Sequence, residues 1–198
     1  MTRRPPRSTQ VAGRRQRQMC IRDSFEYHRG QPSSLEAIVD NFALVRAGRF
    51  DVCILGTTNR ELALRNGIHV WIRSNDYENS HLMILLSFII QGHPDWRRSH
   101  ISVFDVCQKD EEEHTRENLE RLVKEGRLPI TTKNIQVLAA EPGKDVRDKI
   151  RERSGEAGLS IIGFTSSLLK HRGAALFEGF EGMGDILFVN AHSQKNID

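Results

Sequence analysis

The 198-residue chain has no hydrophobic run approaching the ~20 residues of a membrane-spanning helix. Its longest apolar stretch, residues 82–90, is broken by Ser87. Cysteine is scarce: Cys20, Cys53 and Cys107 cannot all pair within one chain, and no two of them have C-x-x-C spacing. A disulfide scaffold and a zinc module are therefore not expected, and a reducing compartment is the default. The eight histidines (28, 69, 81, 93, 100, 114, 171 and 192) form no H-x-x-x-H pair and no H-E-x-x-H motif. A metal site is not expected from spacing, because ligands on one helix face need that interval.

Positive charge is unevenly placed. Residues 1–24 hold seven arginines, no lysine and a single acid, a net charge of +6. The other 174 residues hold 22 basic and 25 acidic side chains, a net charge of −3. The overall pI of about 8.9 thus comes from the first segment. Such an arm could bind nucleic acid or anionic lipid, or act as a targeting peptide, although it lacks an apolar core. Met19-Cys20-Ile21-Arg22-Asp23-Ser24, with Arg3-Arg4-Pro5-Pro6-Arg7-Ser8-Thr9, looks more like translated sequencing-adapter sequence. On that reading, residues 1–24 are a non-native or disordered arm. Residues 25–198 then form one α/β domain whose natural chain is truncated near Phe25. No nucleic-acid partner is assigned.

Helical and strand patterns alternate from residue 33 onward. Ser33 and Ser34 are expected N-caps for a helix carrying Leu35, Ile38, Val39, Phe42 and Val45, and Gly48 ends it. Strands are expected at 50–55, 68–72, 101–106, 135–139, 159–164 and 186–189, each a short β-prone run bounded by turn formers. Helices are expected at 81–91 and at 109–127, the latter with an apolar stripe of Leu119, Leu122 and Val123. A further helix opens on Pro142 with Val146 and Ile150 inward, and another runs from the fifth strand towards Phe180. This alternation predicts a three-layer α/β fold: a mostly parallel sheet of about six strands with helices on both faces. Phe177, Phe180 and Met183 either form an exposed patch for association or pack under the last strand.

Ligands of such folds bind beyond the carboxyl ends of the strands. Gly56-Thr57-Thr58-Asn59 follows the first strand and could face a ligand, but lacks the G-x-G-x-x-G spacing and reads as a turn. Gly143-Lys144-Asp145 has no upstream glycine and no hydroxyl residue after the lysine, and reads as a charged helix start. His81 is expected to pack rather than to ligate. Cys53 and Cys107 are expected to be buried on strands as small hydrophobes. Asp110-Glu111-Glu112-Glu113 suits a helix N-terminus, where acids complement the dipole. No catalytic residue, cofactor-binding residue or metal ligand is assigned, and an enzyme is not expected.

An ordered set of motifs does stand out. Ile68-His69-Val70-Trp71-Ile72 is followed by a polar loop and by Asn79-Ser80-His81-Leu82-Met83-Ile84-Leu85-Leu86. Trp96-Arg97 and Ile101-Ser102-Val103-Phe104 come next. Residues 34–192 resemble the C-terminal cytoplasmic domain of the cation-chloride cotransporters and their prokaryotic relatives. These are secondary transporters with the amino acid–polyamine–organocation fold in the membrane. Their pattern is I-D-x-W-W, a leucine-rich helix, W-[RK] and I-R-V-F. Trp71, Leu82, Leu85, Trp96, Ile101, Val103 and Phe104 follow it, while His69 and Ile72 depart from it. Leu159-Ser160-Ile161-Ile162-Gly163-Phe164 and Asp185-Ile186-Leu187-Phe188-Val189-Asn190 resemble its last strands.

The resemblance implies a universal-stress-protein-like domain on the cytoplasmic face of the membrane. Its role would be regulatory and dimerising, its partners the transmembrane part of the same native chain and a second copy. The alternative is a stand-alone universal-stress-like nucleotide-binding protein. Those proteins carry G-x-x-G, nine residues, then G-[ST]; here no paired glycine precedes the gap between Gly163 and Gly173, since Ser160 stands in its place. A small α/β enzyme is a third reading.

Overall fold

The computed structural model describes residues 22–73, 77–125 and 131–192. Its strands are β1 (Arg22–His28), β2 (Asp51–Thr57), β3 (Ile68–Ile72), β4 (Ile101–Cys107), β5 (Ile135–Ala139), β6 (Leu159–Gly163) and β7 (Ile186–Asn190). The helices are α1 (Pro32–Ala47), α2 (Tyr77–Gln91), α3 (Glu112–Glu125), α4 (Val146–Ser154) and α5 (Ser166–Arg172). One seven-stranded sheet runs in the order β1-β2-β7-β6-β3-β4-β5. Neighbouring strands are parallel except β2 against β7, so β1 and β2 run opposite to the other five. This is the expected α/β architecture, with one strand more than about six.

The extra strand is β1. It begins at Arg22, inside the segment 1–24, and pairs Arg22 with Asp51, Asp23 with Val52 and Ser24 with Cys53. The first helix also starts earlier than Ser33: Pro32 opens it after Gln31, and the Ser34 hydroxyl donates back to the Gln31 carbonyl. Proline suits a first turn whose N–H groups lack intrahelical partners. By contrast Pro142 lies in a turn, and Asp145 caps α4 by accepting from the Arg147 N–H at 3.0 Å. Helix α2 begins at Tyr77, a turn before residue 81. A short 3₁₀ turn at Lys109–Glu111 precedes α3, so the acids Glu112 and Glu113 occupy its first turn. Of its stripe, Leu119 and Val123 are buried; the Leu122 side chain and residues 126–127 lie outside the described part.

Two cores sandwich the sheet, because side chains of a strand alternate between faces. Val70 and Ile72 join α2 and α3 on one face, with Leu82, Ile84, Val103 and Ile161. Trp71 points to the other face, where α1, α4 and α5 meet Phe104, Ile162 and Phe188. Because both faces are covered, the central strands read as nearly continuous apolar runs. Phe177 and Phe180 pack edge-on and tilted against Phe188 of β7, with ring centroids at 4.9 and 5.7 Å. With Met183 also buried, the three residues belong to the core and supply no exposed patch. No helix among the described residues is long and apolar enough to cross a membrane.

Candidate functional site

Strand order decides where a ligand could sit. From β3 the chain moves to β4 and β5 on one side, then returns to β6 and β7 on the other. The carboxyl ends of β3 and β6 therefore diverge, and crossovers leave a crevice there. A cavity of mixed polar and apolar lining, about 190 Å³, lies at this point, over Trp71, Ile162 and Phe188 and beneath α4 and α5. A polar vestibule of about 490 Å³ shares Arg73, Val106, Val146, Gly163 and Leu168 with it and reaches Gln108, Glu111 and Thr165.

Three guanidiniums line this crevice: Arg73 after β3, Arg147 on α4 and Arg172 at the end of α5. Arg73 and Arg172 are exposed. Arg147 is held in place, donating to the carbonyls of Ala175 and Leu176 at 3.4 and 3.3 Å and resting 5.6 Å from the centroid of Phe180. Asp145 and Glu111 are the acids at the rim. The β6–α5 turn satisfies much of itself. Thr165 Oγ1 accepts from the Leu168 N–H at 3.3 Å, and the Leu169 N–H donates to the Thr165 carbonyl at 3.1 Å.

Buried amides support the crevice from behind. Asn79 on α2 and Asn190 at the end of β7 both donate to the Phe164 carbonyl, at 2.9 and 2.7 Å. Asn79 Oδ1 also accepts from the Ala191 N–H. One helix is thus tied to the ends of β6 and β7, which makes good use of a buried amide that would otherwise be costly. The sequence offered a signal here, since Asn79 is the first residue of the motif before the leucine-rich helix.

The residues singled out in the sequence scatter. Gly56 to Asn59 is not near the crevice: β2 runs antiparallel to β7, which carries its following loop to the opposite end of the sheet. There the Thr58 N–H and hydroxyl donate to Asp185 Oδ1, and Asn59 meets His28. Lys144 pairs with Glu141 on the surface. Cys53 and Cys107 are buried on strands, and burial pushes the Cys107 thiol up. His81 is buried among the first turns of α2. Spacing alone had not pointed to Arg73, Arg147 and Arg172, which stand far apart in the chain and meet only through the crossovers.

No family model and no curated protein sequence matches the chain. Among solved structures it is similar to the cytoplasmic domain of a prokaryotic cation chloride cotransporter. The TM-score is 0.60 at 15% identity, covering 88% of this chain and 65% of that one. The two share a fold. A protein of unknown function from Pseudomonas aeruginosa PAO1 aligns with a TM-score of 0.44 at 13% identity, over 83% of this chain and 62% of its own. A candidate universal stress protein from Pseudomonas aeruginosa UCBPP-PA14 aligns at 0.47 and 14%, over the same shares. The chain spans less than two thirds of the length of each of these proteins.

Proposed function

We propose that the chain is the cytoplasmic regulatory domain of a cation-chloride cotransporter-like secondary transporter, and that it works by docking rather than by catalysis. The observation that carries this reading is where the family-like motifs fall within a fold shared with a cotransporter domain. Ile68, Val70 and Trp71 pair in register with Ile101, Val103 and Phe104 on the neighbouring central strand. Trp71 stacks on Phe104, with centroids 4.6 Å apart and planes 15° from parallel. Aromatic pairs in such geometry contribute roughly 0.5–1.5 kcal/mol beyond their burial. The two motifs are therefore one packing unit, which explains why they occur together. On this reading the partners are the transmembrane part of the same native chain and a second copy of the domain.

The test is the DNA upstream of the Phe25 codon in an intact copy of the gene. About ten apolar stretches of ~20 residues each are expected there in frame. A start site immediately before Phe25, preceded by a stop codon, overturns the reading.

One observation favours a nucleotide-binding protein instead: the crevice lies at a topological switch point and carries three arginines. Ser160 in place of a paired glycine before Gly163, Ala174 rather than a hydroxyl residue after Gly173, and the partly self-satisfied β6–α5 turn count against it. Titration with millimolar ATP separates the two. A real site saturated at ~100 times its dissociation constant raises stability by about 2.7 kcal/mol.

A further inference from the structure

We infer that the crevice binds a small amphipathic carboxylate, its apolar body in the cavity and its carboxylate among Arg73, Arg147 and Arg172. The inference stands on the cavity itself and holds whether or not the chain belongs to a transporter.

Ile162 and Phe188 are buried and form its floor, Ile150 of α4 is buried above them, and Val106, Leu168 and Leu176 are only partly covered. An enclosed cavity of ~150 Å³ is large enough for a benzene-sized guest. The present cavity, about 190 Å³ with its arginine-lined mouth included, has room for a ring and a short chain ending at that mouth. Helix α4 has nine residues and α5 seven, and two helices so short leave this part of the sheet incompletely roofed.

The charge at the mouth selects the other end of the ligand. Three arginines line the site against two acids, Asp145 and Glu111, and the Asp145 carboxylate is already engaged in capping α4. Guanidinium forks match the planar geometry of a carboxylate and bind it more strongly than a neutral group. Arg147 is pre-positioned by two carbonyls and the Phe180 ring, so little side-chain freedom is lost on binding. A polyphosphate would need backbone N–H groups from the β6–α5 turn, and those of Leu168 and Leu169 are already taken by Thr165. The charge on offer beside the apolar floor comes from the arginine side chains.

The experiment uses the full 198-residue chain and isothermal titration with 3-phenylpropionate, its neutral counterpart 3-phenylpropan-1-ol, and propionate. Saturable one-to-one binding of the acid is expected at a dissociation constant of about 1 mM or below, with the alcohol and propionate each about tenfold weaker. Arg73→Ala and Arg172→Ala change exposed residues and leave the fold intact. Each should weaken the acid about fivefold and leave the alcohol unchanged. Leu168→Trp, which fills the mouth, should weaken both ligands. If that variant misfolds, the arginine variants still decide. Absence of saturation at ~10 mM acid, equal binding of acid and alcohol, or indifference to both arginine variants overturns the inference. Displacement of the acid by ATP at lower concentration also overturns it, in favour of a nucleotide.

Discussion

Trp71 and Ser154 meet inside the protein, with the indole Nε1–H donating to the serine hydroxyl oxygen at 2.8 Å. Ser154 is the last residue of α4 and Trp71 lies near the end of β3, so the bond pins the helix to the middle of the sheet. The same oxygen lies 2.8 Å from Nδ1 of His69. Since an indole can only donate, the serine hydroxyl hydrogen is free to meet an unprotonated imidazole nitrogen.

Removing that hydroxyl strands the buried Trp71 indole N–H and a partly buried His69 ring nitrogen. Ser154→Ala is expected to cost ~1–3 kcal/mol, the range for a buried donor left without a partner. Urea denaturation at neutral pH measures this. A midpoint unchanged from the parent protein would show that the indole finds another acceptor.

His69 makes stability depend on pH in one direction. Burial, with a smaller contribution from His100, lowers its pKa to about 4 from an ordinary value near 6.5. The folded state therefore prefers the neutral ring. Stability from this group is complete above about pH 6.5 and is lost as pH falls towards 4, by at most about 2–3 kcal/mol for a residue only partly shielded from water. His69→Gln should flatten the stability profile across that window, and parallel profiles for parent and variant would contradict the assignment.

Arg29 holds the loop before β7. Its guanidinium, half-buried, donates to the carbonyls of Met183 at 3.0 Å, Gly184 at 2.8 Å and Phe180. Arg29→Met keeps the stem and loses all three bonds, with an expected cost of ~1.5–3 kcal/mol. Limited proteolysis should then cut within residues 178–185 first. A cleavage pattern matching the parent would place the loop's anchor elsewhere.

The start of β1 can be tested by truncation. A chain beginning at Phe25 loses the ladder positions of Arg22, Asp23 and Ser24 against β2 that a chain beginning at Arg22 retains. The shorter chain should be less stable by ~1–2 kcal/mol, a few exposed edge hydrogen bonds' worth. Equal melting temperatures would show that β1 contributes only from Phe25 onward.

Association remains a consequence of the proposed role. A two-fold interface of standard size buries ~1,600 Å², and without a membrane part to raise local concentration it would be weak. Sedimentation from micromolar to near-millimolar concentration should reveal a reversible dimer. A single monomeric species throughout would remove dimerisation from the proposal. Phe177, Phe180 and Met183 are core residues and cannot supply that interface, so it must use other surface.

Local pattern was enough to place strands such as Ile68–Ile72 and Ile135–Ala139, because β-branched runs closed by turn formers depend on neighbours in the chain. It was enough as well to place Cys53 and Cys107 in the interior. Helix starts were less legible: Pro32 and Asp145 open helices where serines and Pro142 offered equally good local chemistry, and tertiary packing chose between them.

Pattern by itself thus determined an α/β chain, its apolar faces and a pair of central strands bearing Trp71 and Phe104. Tertiary structure alone decided strand direction, and with it the site. Periodicity carries no sign, so a strand reads alike whichever way it runs. The reversal of β2 took Gly56 to Asn59 to one end of the sheet. The crossover from β5 to β6 brought Arg73, Arg147 and Arg172 together at the other, over separations of up to 99 residues that no local motif spans.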